Sequence, residues 1–205
     1  VFKHKYFKLG DKYGRVLYLS EYARYIKDSF VAELCGLNKN MMYSMDLLTV
    51  PTDEAVKEVE TKLLGVETNI TNWQRRQNAN NNFSAVIPYD MEQQRKESKE
   101  FLDDLTVRDQ KMIFANITVV HLANSKEELD ADSEVLMSIA RKYMCDLTPI
   151  AFSSRQLDGL STALPIGVNK LDIMRTLLTE SASIFIPFRA QEVMDRGGIW
   201  YGQNA

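Results

Sequence analysis

The chain has 205 residues, of which 45% are hydrophobic and 26% charged; that is enough to bury one substantial core and too apolar for a disordered chain. Its net charge of -3 provides no global basic field to draw it onto nucleic acid or anionic lipid. Two cysteines and two histidines, each isolated in sequence, give no metal-ligand spacing, and no apolar stretch reaches the roughly 20 residues that span a bilayer.

Residues 2–9 and 15–19 are extended in character and flank Gly10-Asp11-Lys12-Tyr13-Gly14, the pattern of a β-hairpin. Residues 26–34 predict a short helix with Phe30, Val31 and Leu34 inward and Gly36 as its stop. Residues 42–50 are β-rich and end at Pro51. Beyond it Val56, Val59, Leu63, Val66, Ile70 and Trp73 recur three and four apart, a single apolar seam on one helix face. Thr52 is the expected N-cap, with Asp53 and Glu54 placed to favour the helix dipole.

The seam stops at Asn78-Ala79-Asn80-Asn81-Asn82, a loop composition because asparagine tolerates left-handed backbone. A second helix is expected near Asp90, where Asp90 and Gln93 approximate a capping box and Met91, Gln94, Ser98, Phe101 and Leu105 mark the inner face. The two helices predict an antiparallel αα-hairpin, preferred over an intermolecular coiled coil because the second helix lies adjacent in sequence and is of similar length. Residues 112–122 are apolar on both faces, as a covered central strand requires. Ser125 and Glu128 then form a capping box for a helix reaching about Met144, with Leu129, Leu136, Ala140 and Tyr143 on its buried face.

Residues 147–152 read as a strand that Pro149 pushes toward an edge. Ser153 and Gln156 are placed to cap a short helix with Leu157, Leu160 and Leu164 inward. A last helix is expected over 170–181 and a strand over 184–188. The order predicts an α+β fold: a ferredoxin-like β-αα-β-α-β core over residues 37–152. An N-terminal hairpin and short helix over 1–36 precede it, and a helical appendage over 153–205 follows.

No catalytic constellation emerges. A phosphate-binding loop needs Gly-x-x-x-x-Gly-Lys-Ser/Thr, and no glycine here precedes a lysine. His121 has no serine or cysteine nucleophile at a motif spacing and reads as a core or strand-end histidine. Asp103, Asp104 and Asp109, and Asp130 with Asp132, read as solvated carboxylates, and Cys35 and Cys145 as buried small hydrophobes. No catalytic, cofactor or metal residue is assigned. Trp73-Gln74-Arg75-Arg76-Gln77 mixes aromatic and basic groups as single-strand binders do. Trp73 continues the apolar seam, which leaves Arg75 and Arg76 as candidate partner-binding residues near a hairpin tip.

Four stretches together resemble the N-terminal region of conjugative type IV secretion ATPases of the TraC, TrbE and CagE class, in the form carried on Gram-positive conjugative elements. They are Asp46-Leu47-Leu48-Thr49-Val50-Pro51, the helix pair running on to Phe114-Ala115-Asn116-Ile117-Thr118-Val119-Val120, Leu157-Asp158-Gly159-Leu160 leading to Ala163-Leu164-Pro165, and Ser183-Ile184-Phe185-Ile186-Pro187-Phe188 with Gly198-Ile199-Trp200-Tyr201-Gly202-Gln203-Asn204. In that family the last run comes shortly before the first strand of the ATPase domain. The resemblance therefore implies a docking and assembly domain, binding inner-membrane components of the secretion complex and neighbouring protomers of a hexameric parent. ATP and magnesium are expected only for a domain following Ala205. The implied location is cytoplasmic, at the inner face of the cell membrane, in conjugative DNA transfer. The chain's start at Val1 agrees with a trimmed segment. The rival function is a nucleic-acid-binding module in DNA transfer, which an isoelectric point near 5.5 disfavours.

Overall fold

The computed structural model describes residues 1–23 and 26–187. Its framework is the apolar run that begins at Met112, which forms β4 (Met112–Ala123). β4 is buried along nearly its whole length because strands flank both its edges and helices cover both its faces.

In chain order the elements are β1 (Phe7–Leu9), β2 (Lys12–Glu21), α1 (Ser29–Cys35), β3 (Asn40–Thr49), α2 (Thr52–Ala79), α3 (Tyr89–Thr106), β4, α4 (Lys126–Lys142), β5 (Asp146–Pro149), α5 (Ser153–Ala163), β6 (Arg175–Leu178) and α6 (Thr179–Ser183). The fold is α+β: six strands form one sheet, and every pairing is antiparallel. The order runs β1-β2-β4-β3, with β5 also on β2 and β6 also on β4. β1 and β2 make the expected hairpin, with Gly10 at φ +60° in its turn. β2 also pairs with β4 and β5, so residues of the 1–36 segment are hydrogen-bonded into the middle of the sheet.

One face of the sheet carries α1 and α4. Phe30, Val31 and Leu34 of α1 meet Leu136 and Ala140 of α4 over Leu17, Leu19, Ile117 and Val119. Ser125 caps α4 as expected: its hydroxyl accepts from the Glu128 amide at 3.1 Å, while the Glu128 carboxylate accepts from the Asn124 amide at 2.9 Å. The other face carries α5 at one end and the base of the α2/α3 pair at the other.

Several other sequence expectations are corrected. Thr52 is the first helical residue, not the N-cap; Pro51 holds that position, and Pro88 does the same for α3. With Pro88 there, Asp90 and Gln93 form no capping box, and Gln93 bonds Glu97 instead. α5 is capped at Phe152, not Ser153. Its inward face is Gln156, Gly159, Thr162 and Ala163, whereas Leu157 and Leu164 are exposed and Leu160 is half-buried. Small residues win because the helix lies close to the sheet: a Cβ at Gly159 would come within 2.7 Å of Ile150 and 3.0 Å of Val16. Gln156 spans that contact, bonding the Ile150 carbonyl and receiving the Val16 amide.

The helix expected over 170–181 is instead β6 followed by the short α6. Arg175 to Leu178 pair with Ala115 to Met112, and tertiary pairing overrides the local helical spacing. The strand expected over 184–188 is absent as far as Pro187: the chain turns at Ile184 and buries Phe185 completely beneath Phe30 and Tyr22. Phe188 and the Gly198 run lie outside the described residues.

Candidate docking surface

α2 and α3 form an arm. Its base is fixed: Ala55, Val59 and Leu105 pack against Met112, with Val56, Phe101, Phe114 and Leu178 around them. α2 has 28 residues and so runs about 42 Å at 1.5 Å per residue. Past its first turns it packs on α3. Val66, Trp73 and Arg76 lie across from Met91 and Gln94, and Lys99 reaches Glu67 at 3.7 Å, an antiparallel arrangement. Only Ala55, Val59 and Ile70 of α2 are buried; Val56, Leu63, Val66 and Trp73 are half-buried. Two helices alone cannot enclose an apolar seam, and a shallow groove remains along it.

At the tip, α2 ends in a Schellman-type turn. Asn81 takes φ +58°, and the Asn82 amide donates to the Gln77 carbonyl at 2.9 Å. The loop over 80–88 half-buries Ile87 but leaves two apolar side chains in solvent: Phe83 is 75% exposed and Val86 86%, and Tyr89, opening α3, is 77% exposed. Arg75 and Arg76 are both exposed on the last turns of α2. Between residues 68 and 89 they are the only charged side chains, and Asp90 shares a hollow with Arg76, so the tip carries a small excess of positive charge on a chain of net negative charge. The two candidate residues and these three exposed apolar groups thus lie toward the same end of the arm. Sequence alone could not reveal that Phe83, Val86 and Tyr89 stay uncovered, because apolar residues in a loop more often fold back onto a core.

A second cluster is polar and buried. Arg15 on β2 donates to the Ser133 hydroxyl at 2.8 Å, to Asp130 at 2.5 Å and to the Lys5 carbonyl at 2.9 Å. His121 Nε2 lies 3.0 Å from the same hydroxyl, which itself donates to the Leu129 carbonyl at 2.9 Å. With its one proton committed to Leu129, Ser133 accepts from His121, which fixes the ring as the Nε2–H tautomer. Its Nδ1 is buried without a partner. Burial, then the nearby Arg15 charge, pushes the His121 pKa down to about 4.

The side chains of a serine–histidine–acid site are present here, but not its geometry. No carboxylate orients Nδ1, and Ser133 and His121 are each 1% exposed. Beside them Asp132 is 6% exposed and pairs with Lys39 at 2.8 Å. The solvated reading of Asp132 is therefore corrected, while Asp130 keeps a largely exposed carboxylate. The signal was present in the spacing: Leu129, Asp132, Ser133, Leu136 and Ala140 repeat three and four apart on the buried stripe of α4.

Among the described residues no helix is long and apolar enough to cross a membrane, and no group of three or more His, Cys, Asp or Glu is placed to hold a metal ion. Compared with known proteins, the chain matches no family model and no curated sequence.

Proposed function

We propose that this chain is a docking and assembly domain of a conjugative type IV secretion ATPase, with the α2/α3 arm as its reaching element. The observation that carries the reading is the tip end of the arm, where Phe83, Val86, Tyr89, Arg75 and Arg76 are all exposed. Aromatic and arginine side chains are the groups enriched at the energetic centres of protein interfaces. The partners are inner-membrane components of the secretion complex and neighbouring protomers of a hexameric parent. The parent would sit in the cytoplasm against the inner face of the membrane, and its ATP- and magnesium-dependent chemistry would belong to a domain after Ala205.

We read the finer fold as ferredoxin-like too, though not as the β-αα-β-α-β of residues 37–152: the unit is β2-α1-β3-β4-α4-β5, a βαββαβ order with both crossover helices on one face. The arm replaces the turn between its second and third strands. Building a long insertion at that turn leaves the sheet intact while placing a contact surface far from it.

The nucleic-acid rival has two observations in its favour, the two arginines of the tip and the exposed rings of Phe83 and Tyr89, on which bases can stack. Against it, Trp73 is half-buried in the arm, which removes one stacking platform. A photo-crosslinking amino acid at position 83 of the parent protein, in cells, tests the reading. An adduct with an inner-membrane protein is expected; an adduct with nucleic acid, and none with protein, rejects it.

A further inference from the structure

Among the described residues β3 is the longest free edge of the sheet, and its ten residues pair with β4 in unbroken register from Asn40↔Leu122 to Thr49↔Ile113. The devices that usually blunt an edge are missing: the strand has no proline, no lysine and no bulge, and Asp46 is its single charge. Leu47 and Leu48 are 48% and 57% exposed. Asp46 Oδ2 is buried without a hydrogen-bond partner.

We infer that two copies of the chain join along β3, antiparallel, about a two-fold axis passing beside Met45. The inference stands on the sheet edge and not on the arm, so it holds or fails separately from the docking reading. A two-fold axis normal to the sheet returns each residue to its own face, and side chains alternate between faces. Only registers centred on a residue are therefore allowed.

Centred on Met45, Tyr43 faces Leu47 of the second copy, Met42 faces Leu48, and Met41 faces Thr49. The exposed leucines gain apolar neighbours on both sheet faces. The Ser44 hydroxyl faces the Asp46 carboxylate, which is short of a hydrogen bond in the single chain. Centred on Ser44, Asp46 instead faces Met42 and Asn40 faces Leu48. Centred on Asp46, the two carboxylates face each other, and like charges directly opposite are destabilising. Of these three registers the strand's own sequence favours the one centred on Met45. An isologous pairing of this kind closes on itself as a dimer and leaves no free β3 edge to propagate.

Sedimentation equilibrium and disulfide trapping of the full chain test the inference. The unaltered chain is expected to sediment as a dimer, and Leu47→Lys with Leu48→Lys as a monomer with unchanged far-ultraviolet circular dichroism. In a Cys35→Ser background, with the buried Cys145 left in place, Met45→Cys is expected to oxidise to a linked dimer. Opposed Cα atoms in an antiparallel pair lie about 4.5–5.5 Å apart, within reach of a disulfide. Ser44→Cys, set diagonally to its own copy, is expected to remain unlinked. A monomer at every concentration, a dimer that survives the two lysines, or preferential linking through Ser44→Cys overturns the inference.

Discussion

Acidification offers a direct probe of the buried cluster around Arg15. His121 is neutral in the folded chain, with its pKa lowered from 6.5 to about 4. A histidine depressed in this way binds its proton more readily in the unfolded chain, so its stabilising effect is complete above pH 6.5 and is lost as pH falls toward 4. The full shift of roughly 2.5 units, at about 1.4 kcal/mol each, corresponds to about 3–4 kcal/mol. Glu33 and Glu128 have lowered carboxyl pKa values, so their stabilisation is lost from the ordinary carboxylate range downward and touches only the acid end of that window. Asp46, raised by burial, acts in the opposite sense. Urea unfolding at half-unit steps between pH 7 and 4.5 should show falling stability in the unaltered chain. In His121→Gln, whose amide can still donate to Ser133, the slope over that window should be much reduced. A flat profile in the unaltered chain, or the same slope in the variant, refutes the assignment of a neutral, buried ring.

Other outcomes follow from packing. Leu105→Ala, in the fully enclosed base of the arm, should cost about 2–5 kcal/mol, whereas Leu63→Ala, on the half-covered seam, should cost about 1 kcal/mol, in proportion to its smaller buried area; urea unfolding of both variants checks the ranking. Gly159→Val should cost at least about 1–3 kcal/mol, because α5 cannot approach Val16 and Ile150 with a branched side chain between them; thermal unfolding should show the loss, and an unchanged midpoint would contradict the close approach. Calorimetry with magnesium-ATP should show no binding to this chain, since no glycine–lysine phosphate loop is present to meet the triphosphate.

Much of the fold was legible wherever local chemistry and tertiary packing agreed. The apolar run of β4, the seam of α2 and the Ser125–Glu128 box each carried a signal that the surrounding structure reinforced. β2 was recognisable as a strand, but its place between β4 and β5 depends on partners more than 90 residues away in sequence, which periodicity does not encode. The 170–181 segment failed because Leu171, Met174 and Leu177 are spaced like a helix face, yet Arg175 to Leu178 gain more by completing the sheet beside β4. α5 departs for a different reason: its leucines have the spacing of a buried face, but the glycine and small residues are what permit close approach to the sheet.

The candidate site was half legible. Arg75 and Arg76 stood out by charge, and Trp73 was correctly assigned to the seam, though two helices bury it only in part. Phe83, Val86 and Tyr89 carried no pattern. Their role rests on how far the arm holds them from any core.

The docking account is tested most directly by displaying the domain on a hexameric scaffold, so that weak contacts gain avidity. Its binding to solubilised inner-membrane secretion complex is then measured beside its binding to single-stranded DNA, both at physiological salt. The account predicts retention of the membrane complex, weak DNA binding, and loss of complex binding when Arg75, Arg76, Phe83 and Tyr89 are changed to Ala. Tight DNA binding with a steep salt dependence, abolished by Arg75→Ala and Arg76→Ala, would contradict it and establish the nucleic-acid rival.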